Sequence, residues 1–179
     1  MKYKTHIAFS LAIGAGVANI IAIPFSIGYV AGLTLGSLLP DIDEPNSYIG
    51  RRSLGISSLI NKRLGHRGLT HSLTIWLVFL VYCSIFPTYF TLGLTLGYLF
   101  HIIGDFFSVS SVPLLSPFFE FRPKNMLISY KTGSPTEEII KITSIFVLVL
   151  FVLKGALYQT FFTSVGQILK DFIYEAVNK

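Results

Sequence analysis

The chain has 179 residues, is 52% hydrophobic and only 13% charged, and carries a formal net charge of +5. That length is one domain, but the composition excludes an ordinary soluble enzyme and reads as membrane-embedded. The excess positive charge lies in short segments beside apolar runs, where anionic lipid headgroups account for it and nucleic acid does not. Cys83 is the one cysteine and sits inside an apolar run, which excludes an internal disulfide and a thiolate metal cluster. The opening Met-Lys-Tyr-Lys-Thr-His is a short basic stretch, and the run after it lacks a small-residue cleavage site, so no removable signal peptide is expected.

Residues 7–23 form an apolar run closed by Pro24, and residues 25–39 form a second closed by Pro40. Both are rich in Gly and Ala and predict a helical hairpin. Residues 72–86 and 88–107, pivoting at Pro87, predict another. At roughly 1.5 Å per residue such runs barely cross a hydrocarbon core about 30 Å thick. Gly28, Gly32 and Gly36 recur at the four-residue spacing that lets helices approach closely in lipid. Residues 109–136 hold Pro113, Pro117 and Pro123 among Phe118, Phe119 and Phe121, and read as an interfacial loop with its aromatics at headgroup depth. Ser134-Pro135-Thr136-Glu137 reads as the cap and first turn of a last helix, and Glu137 is a further candidate ligand. The part 137–179 is expected to be helical, amphipathic beyond Lys154, with its end lying on the membrane.

The two hairpins look like copies. Thr5-His6 opens one and Thr70-His71 the other, and both returning helices contain Gly-Leu-Thr-Leu-Gly, at 32–36 and 93–97. His6 precedes Asp41 by 35 positions and His71 precedes Asp105 by 34, as an internal duplication requires. The expected fold is an all-α polytopic membrane protein: two duplicated transmembrane hairpins, about 6–43 and about 70–108, the loop 109–136 and a C-terminal helical part. His6 and His71 then stand at helix starts, and Asp41, Asp43, His101 and Asp105 at helix ends, all on one membrane face. Lys2, Lys4, Arg51, Arg52, Lys62, Arg63, Arg67, Arg122, Lys124 and Lys131 share that face, whereas the turns around Pro24 and Pro87 carry no charge. The positive-inside rule makes it cytoplasmic, on an inner membrane.

All four histidines and three aspartates thus gather on a greasy background, and imidazole with carboxylate is a ligand set for zinc, manganese or iron. His101 and Asp105 lie four apart, on one face of a helix. Leu39-Pro40-Asp41-Ile42-Asp43-Glu44-Pro45 predicts a stiff extended segment with Asp41 and Asp43 pointing to the same side, toward one metal or bridging two. In Gly65-His66-Arg67-Gly68-Leu69-Thr70-His71-Ser72, Thr70 reads as a helix cap, His71 as a ligand and His66 as a ligand, proton donor or orienting partner. Arg67, Arg51 and Arg52 form a cationic rim suited to phosphate oxygens.

These segments, Thr5-His6, Leu-Pro-Asp-Ile-Asp at 39–43, His-Arg-Gly-Leu-Thr-His-Ser at 66–72 and His-Ile-Ile-Gly-Asp at 101–105, resemble in order the YdjM-type family of predicted membrane-bound metal-dependent hydrolases. The resemblance covers about residues 1–117. His101 and Asp105 are also similar, more distantly, to the HxxGD helix of zinc-dependent phospholipase C and the S1/P1 nucleases. Here Trp76 lies inside an apolar run and no histidine follows His101, so the resemblance implies one or two divalent ions, zinc first, manganese or iron otherwise, rather than three. The implied ligands are His6, Asp41, Asp43, His71, His101 and Asp105.

The expected activity is hydrolysis of a phosphoester in a phospholipid or lipid-linked phosphate. Asp41 or Asp43 takes the proton of a metal-activated water, Arg67 contacts phosphate and His66 protonates the leaving group. A non-catalytic metal- or lipid-binding protein and, third, a small transporter are the alternatives.

Overall fold

A computed structural model describes residues 1–65, 67–119, 121–122 and 129–155. The described chain is helical: α1 (Tyr3–Ile20), α2 (Ile27–Gly36), α3 (Ile56–Leu64), α4 (Leu73–Ile85), α5 (Tyr89–Phe106) and α6 (residues 135–155). The boundaries follow local chemistry. α1 stops at Ile20 ahead of Pro24, and α4 at Ile85 ahead of Pro87, since the residue before a proline disfavours the helical region. Ser26 caps α2 by accepting from the Tyr29 amide at 3.3 Å, and Thr88 and Thr91 form a reciprocal capping box at the start of α5. Ser134 caps α6 as expected, through the Glu137 amide at 3.4 Å.

α5 is the centre of the bundle, in contact with α1, α2 and α4. Ala18, Tyr29, Leu33 and Phe100 are the buried heart of one apolar cluster, and Tyr98, Ile102 and Val112 of another. α2 and α5 run parallel along a seam made by the two Gly-Leu-Thr-Leu-Gly segments. A Cβ added at Gly32 would meet the Phe90 carbonyl oxygen at 2.2 Å, and one at Gly36 that of Leu94 at 2.2 Å. From the other side, a Cβ at Gly93 would meet the Tyr29 oxygen and one at Gly97 the Leu33 oxygen, each at 2.3 Å. The repeated motifs therefore face each other, backbone on backbone, and glycine is required because no side chain fits. Gly28, the third member of the spacing, approaches nothing closer than 3.9 Å and stands outside the contact.

Two expectations are corrected. α2 and α4, with 10 and 13 residues, are about 15 and 20 Å long, short of a hydrocarbon core of about 30 Å. α1 and α5 have 18 residues each but include Lys4, His6 and Asn19 in one, and His101 and Asp105 in the other. Among the described residues no helix is long and apolar enough to cross a membrane, so the fold is an all-α bundle and not the expected set of transmembrane hairpins. Secondly, Leu39–Asp43 is a 3₁₀ helix rather than an extended segment. Pro40, in its first turn, has a backbone angle suited to helix, and with three residues per turn Asp41 and Asp43 diverge instead of pointing together. Expectations for His66, Lys124 and the chain beyond 155 fall outside the described residues.

Candidate metal centre

On α5, Gly93, Gly97, His101 and Asp105 recur every four residues and so lie along one face. The first two face α2. α2 ends at Gly36, and past that point the same stripe presents His101 and Asp105 to side chains from three other segments. α1 delivers His6 from its first turns, the 3₁₀ helix Leu39–Asp43 delivers Asp41, and the 3₁₀ helix Leu69–His71 delivers His71. His6, His71, His101 and Asp105 are fully buried, and Asp41 is 16% exposed.

Four donor atoms converge. His71 Nε2 lies 3.2 Å from His101 Nε2, and Asp41 Oδ1 lies 3.7 Å from each. Asp105 Oδ2 lies 3.8 Å from His71 Nε2 and 4.0 Å from His101 Nε2. Ligands held tetrahedrally at about 2.1 Å from one zinc ion stand about 3.4 Å apart, so the two imidazoles with either carboxylate are within tenths of an ångström of that spacing. His6 stacks on His101, with ring centroids 3.7 Å apart and planes 6° apart, and its Nε2 is 3.4 Å from Asp105 Oδ1. The groupings His6–Asp41–His101 and His71–His101–Asp105 each bring their donors within 4.8 Å of one another.

The outer ring nitrogens are already committed. His101 Nδ1 donates to the Ser37 carbonyl at 2.7 Å, and His71 Nδ1 donates to Asp43 Oδ2 at 3.2 Å. This leaves both Nε2 atoms facing the cluster, the arrangement by which hydrogen bonds orient metal-binding imidazoles. Asp43 is thus on the far side of the His71 ring from Asp41. Its Oδ2 also accepts from the Arg67 amide at 2.9 Å and from the Thr70 hydroxyl, and its carbonyl accepts from Asn61 at 2.7 Å. Thr70, expected as a helix cap, makes this contact instead, and Ser72 occupies the position before α4 with no side-chain capping bond.

Among the described residues, both ring nitrogens of His6, Asp105 Oδ2 and Arg67 Nε are buried with no hydrogen-bond partner. A buried polar atom without a partner costs free energy, and here such atoms surround one spot. Two cations already lean on Asp105: the Met1 ammonium at 2.5 Å from Oδ1, and Arg67 Nη2 at 2.9 Å from Oδ2, the latter an ion pair without hydrogen-bond alignment. Burial pushes Asp105 up, but the adjoining His6 ring, the Met1 ammonium and His101 outweigh it and hold the carboxyl well below its ordinary range. Burial likewise opposes ionisation of Asp41, and His101, His71 and His6 reverse it. Burial, with the neighbouring His6, drives His101 down to about 3, so it is a neutral ring. His71 resists burial because Asp41, Asp43 and Asp105 hold its proton, and is pushed up to about 9. Without a metal, a proton between two Nε2 atoms and two carboxylates stands where a divalent cation fits. The donor set, its spacing and its unpartnered atoms fit such an ion.

Of the residues expected at the site, His6, Asp41, His71, His101, Asp105 and Arg67 are together, and Asp43 backs them. Arg51 and Arg52 are not brought into the cluster: both are exposed in the 3₁₀ turn Gly50–Arg52, where Arg52 lies 3.9 Å from the Tyr48 ring centroid and donates to the Tyr48 carbonyl at 2.8 Å. Glu137 accepts from the Lys2 and Gly133 amides, both at 2.5 Å. Ser37 and Ser108 escaped the sequence reading, and Thr70 was read only as a helix cap. Ser37 acts through a backbone carbonyl, which has no signature in residue type. Ser108 accepts from Arg67 Nη1 at 3.3 Å, three positions past Asp105, and only the helix spacing pointed to it.

The comparisons with known proteins agree with the motifs. The chain is 36% identical over 131 residues to the inner membrane protein YdjM of Escherichia coli (strain K12), and equally to that of Shigella flexneri, covering 65% of this chain. The match spans 66% of the length of those relatives. It is 31% identical over 147 residues to the uncharacterized protein YvsG of Bacillus subtilis (strain 168), covering 78% of this chain and 87% of that one. No solved structure matches. The likeness to zinc-dependent phospholipase C rests on His101 and Asp105 and is carried by none of these matches. The family model described as YdjM inner membrane protein matches residues 1–165, from before His6 to beyond the last described helix, and the chain belongs to that family.

Proposed function

We propose that this protein is a metal-dependent hydrolase of the inner membrane, acting on the phosphoester of a phospholipid or lipid-linked phosphate at a cytoplasmic-facing site that holds one divalent ion, zinc first. The observation that carries the reading is the gathering of buried imidazoles and carboxylates in which both His6 ring nitrogens, Asp105 Oδ2 and Arg67 Nε have no hydrogen-bond partner among the described residues. One ion suits it better than two, because the His101 Nε2 lone pair is common to both donor groupings and serves a single metal. Bound there, the ion supplies Lewis acidity, lowering the pKa of water toward neutrality and neutralising developing phosphoryl charge.

The chain's own residues do the rest. Asp41, the one partly exposed donor, is the carboxylate that takes the proton of the attacking water, while Asp105, held by the Met1 ammonium and Arg67, stays with the ion. Asp43 keeps His71 aligned, since its Oδ2 is already occupied by three donors. Arg67 offers Nε to a phosphoryl oxygen, with Ser108 and Asp105 holding the guanidinium. As the water oxygen bonds phosphorus and the ester bond breaks, the departing oxygen takes its proton from His66, next to Arg67 in sequence. Arg51 and Arg52 hold the headgroup phosphate on the rim. Phosphate release from phosphatidate or a lipid pyrophosphate in vesicles tests this. Loss in Asp105→Ala with a raised KM in Arg67→Lys is the expected result, and release equal to wild type in Asp105→Ala contradicts it.

A second reading is favoured by the donor count. Four protein ligands close a shell, as in sites that hold a metal without turnover. One bound ion with no hydrolysis of any lipid phosphate selects that reading.

A further inference from the structure

The loop after α5 turns large apolar side chains outward. Phe118, Phe119 and Phe121 are 77%, 66% and 78% exposed, more than any apolar side chain of α4, whose highest is 63%, and Leu115 joins them at 54%. Such exposure in so short a stretch marks an interaction site. The loop is fixed where it leaves the fold. The Leu73 amide donates to the Leu114 carbonyl at 2.9 Å, and the Thr74 hydroxyl to the Ser116 carbonyl at 2.7 Å, so its stem is bound to the first turn of α4, just after His71. On its other side Arg122 Nη2 donates to the Arg67 carbonyl at 2.9 Å. Arg67 itself has a left-handed backbone, with φ of 56°, so its placement depends on such ties. The aromatics are therefore joined at one end to the turn that follows His71 and at the other to Arg67.

We propose that Leu115, Phe118, Phe119 and Phe121 are a membrane-docking surface that inserts among the headgroups of an anionic phospholipid leaflet and sets Arg67 at phosphate depth. Three features select this occupant. Aromatic side chains favour the interfacial zone, where ring surface leaves water without reaching the hydrocarbon centre. The charge tied to the loop is positive, Arg122 and Arg67, against the single acid Glu120 in the sequence of the stretch. The chain belongs to an inner membrane protein family, so a lipid leaflet is at hand. The inference rests on the lipid-phosphate reading for its purpose but not for its geometry.

The test uses the full chain carrying Phe119→Trp, with wild type, which has Trp76 alone, as the background. Vesicles of phosphatidylcholine and phosphatidylglycerol brominated high on the acyl chain report contact. The added tryptophan is expected to shift to the blue and lose about half its emission, and Phe118→Trp to behave alike. Emission that stays at the water-exposed wavelength in both variants overturns the proposal. So does a blue shift that depends on protein concentration and not on bromination, which marks a protein contact. Metal content measured on the same variants separates the outcomes, because a docking failure with the ion retained leaves the metal centre standing.

Discussion

Along the seam between α2 and α5 two backbones touch with no side chain between them, whereas beyond Gly36 the same face of α5 meets a crowd of ionisable side chains. The seam is finished as it stands, since its glycines leave nothing unpaired and no space. The cluster is not, since it buries polar atoms that lack partners. A region complete without an occupant fixes register, and a region incomplete without one binds something. The four-residue period of α5 serves both, and what changes is only that α2 stops.

The comparison is broken most severely by removing a donor. His101→Ala is expected to weaken zinc binding more than about 100-fold in a competition titration, exceeding the 10–100-fold typical of losing an orienting partner. Asp43→Asn, which loosens His71 but removes none of the four converging donors, is expected to fall inside that 10–100-fold range in the same titration. Equal effects of the two changes would erase the distinction between donors and supports.

On the seam, Gly36→Ala forces a methyl against the Leu94 carbonyl and is expected to cost about 1–3 kcal/mol in chemical denaturation. Gly28→Ala, where the added Cβ makes only ordinary contact with the Phe90 nitrogen at 3.9 Å, should cost nothing measurable. An effect confined to acid pH lies at the tie between α1 and α6. Burial opposes the charge on Glu137, but the amides of Gly133 and Lys2, with Thr5 and the Met1 ammonium, prevail and lower its pKa from 4.5. A carboxylate lowered in the folded state contributes stability above its unfolded pKa and loses it as pH falls through the folded value. Glu137→Gln should therefore flatten the stability profile only on the acid side of about pH 4.5.

Much of this was legible in the sequence, for reasons that also explain the failures. Prolines and capping residues mark helix ends locally, so the four helices of the two hairpins appear within a few residues of their predicted limits. The histidines and aspartates were found because ionisable groups are scarce in so apolar a chain. The extended shape expected for residues 39–43 failed because residue type between Pro40 and Pro45 does not say whether the turn coils or extends. The transmembrane expectation came from hydropathy summed over runs. In the fold the helices of those runs stop short, at Ile20 and Gly36, and α1 and α5 turn polar residues inward. The likeness of the two Gly-Leu-Thr-Leu-Gly segments was visible, but that each is the other's contact surface is a tertiary fact.

The central claim is that His71, His101, Asp41 and Asp105 surround one divalent ion. Elemental analysis of the purified full chain, with absorption spectroscopy at the metal edge, tests it directly. The account predicts one ion per chain in a nitrogen and oxygen shell, absent from His101→Ala. No metal above background, or the same metal content in His101→Ala, would contradict it.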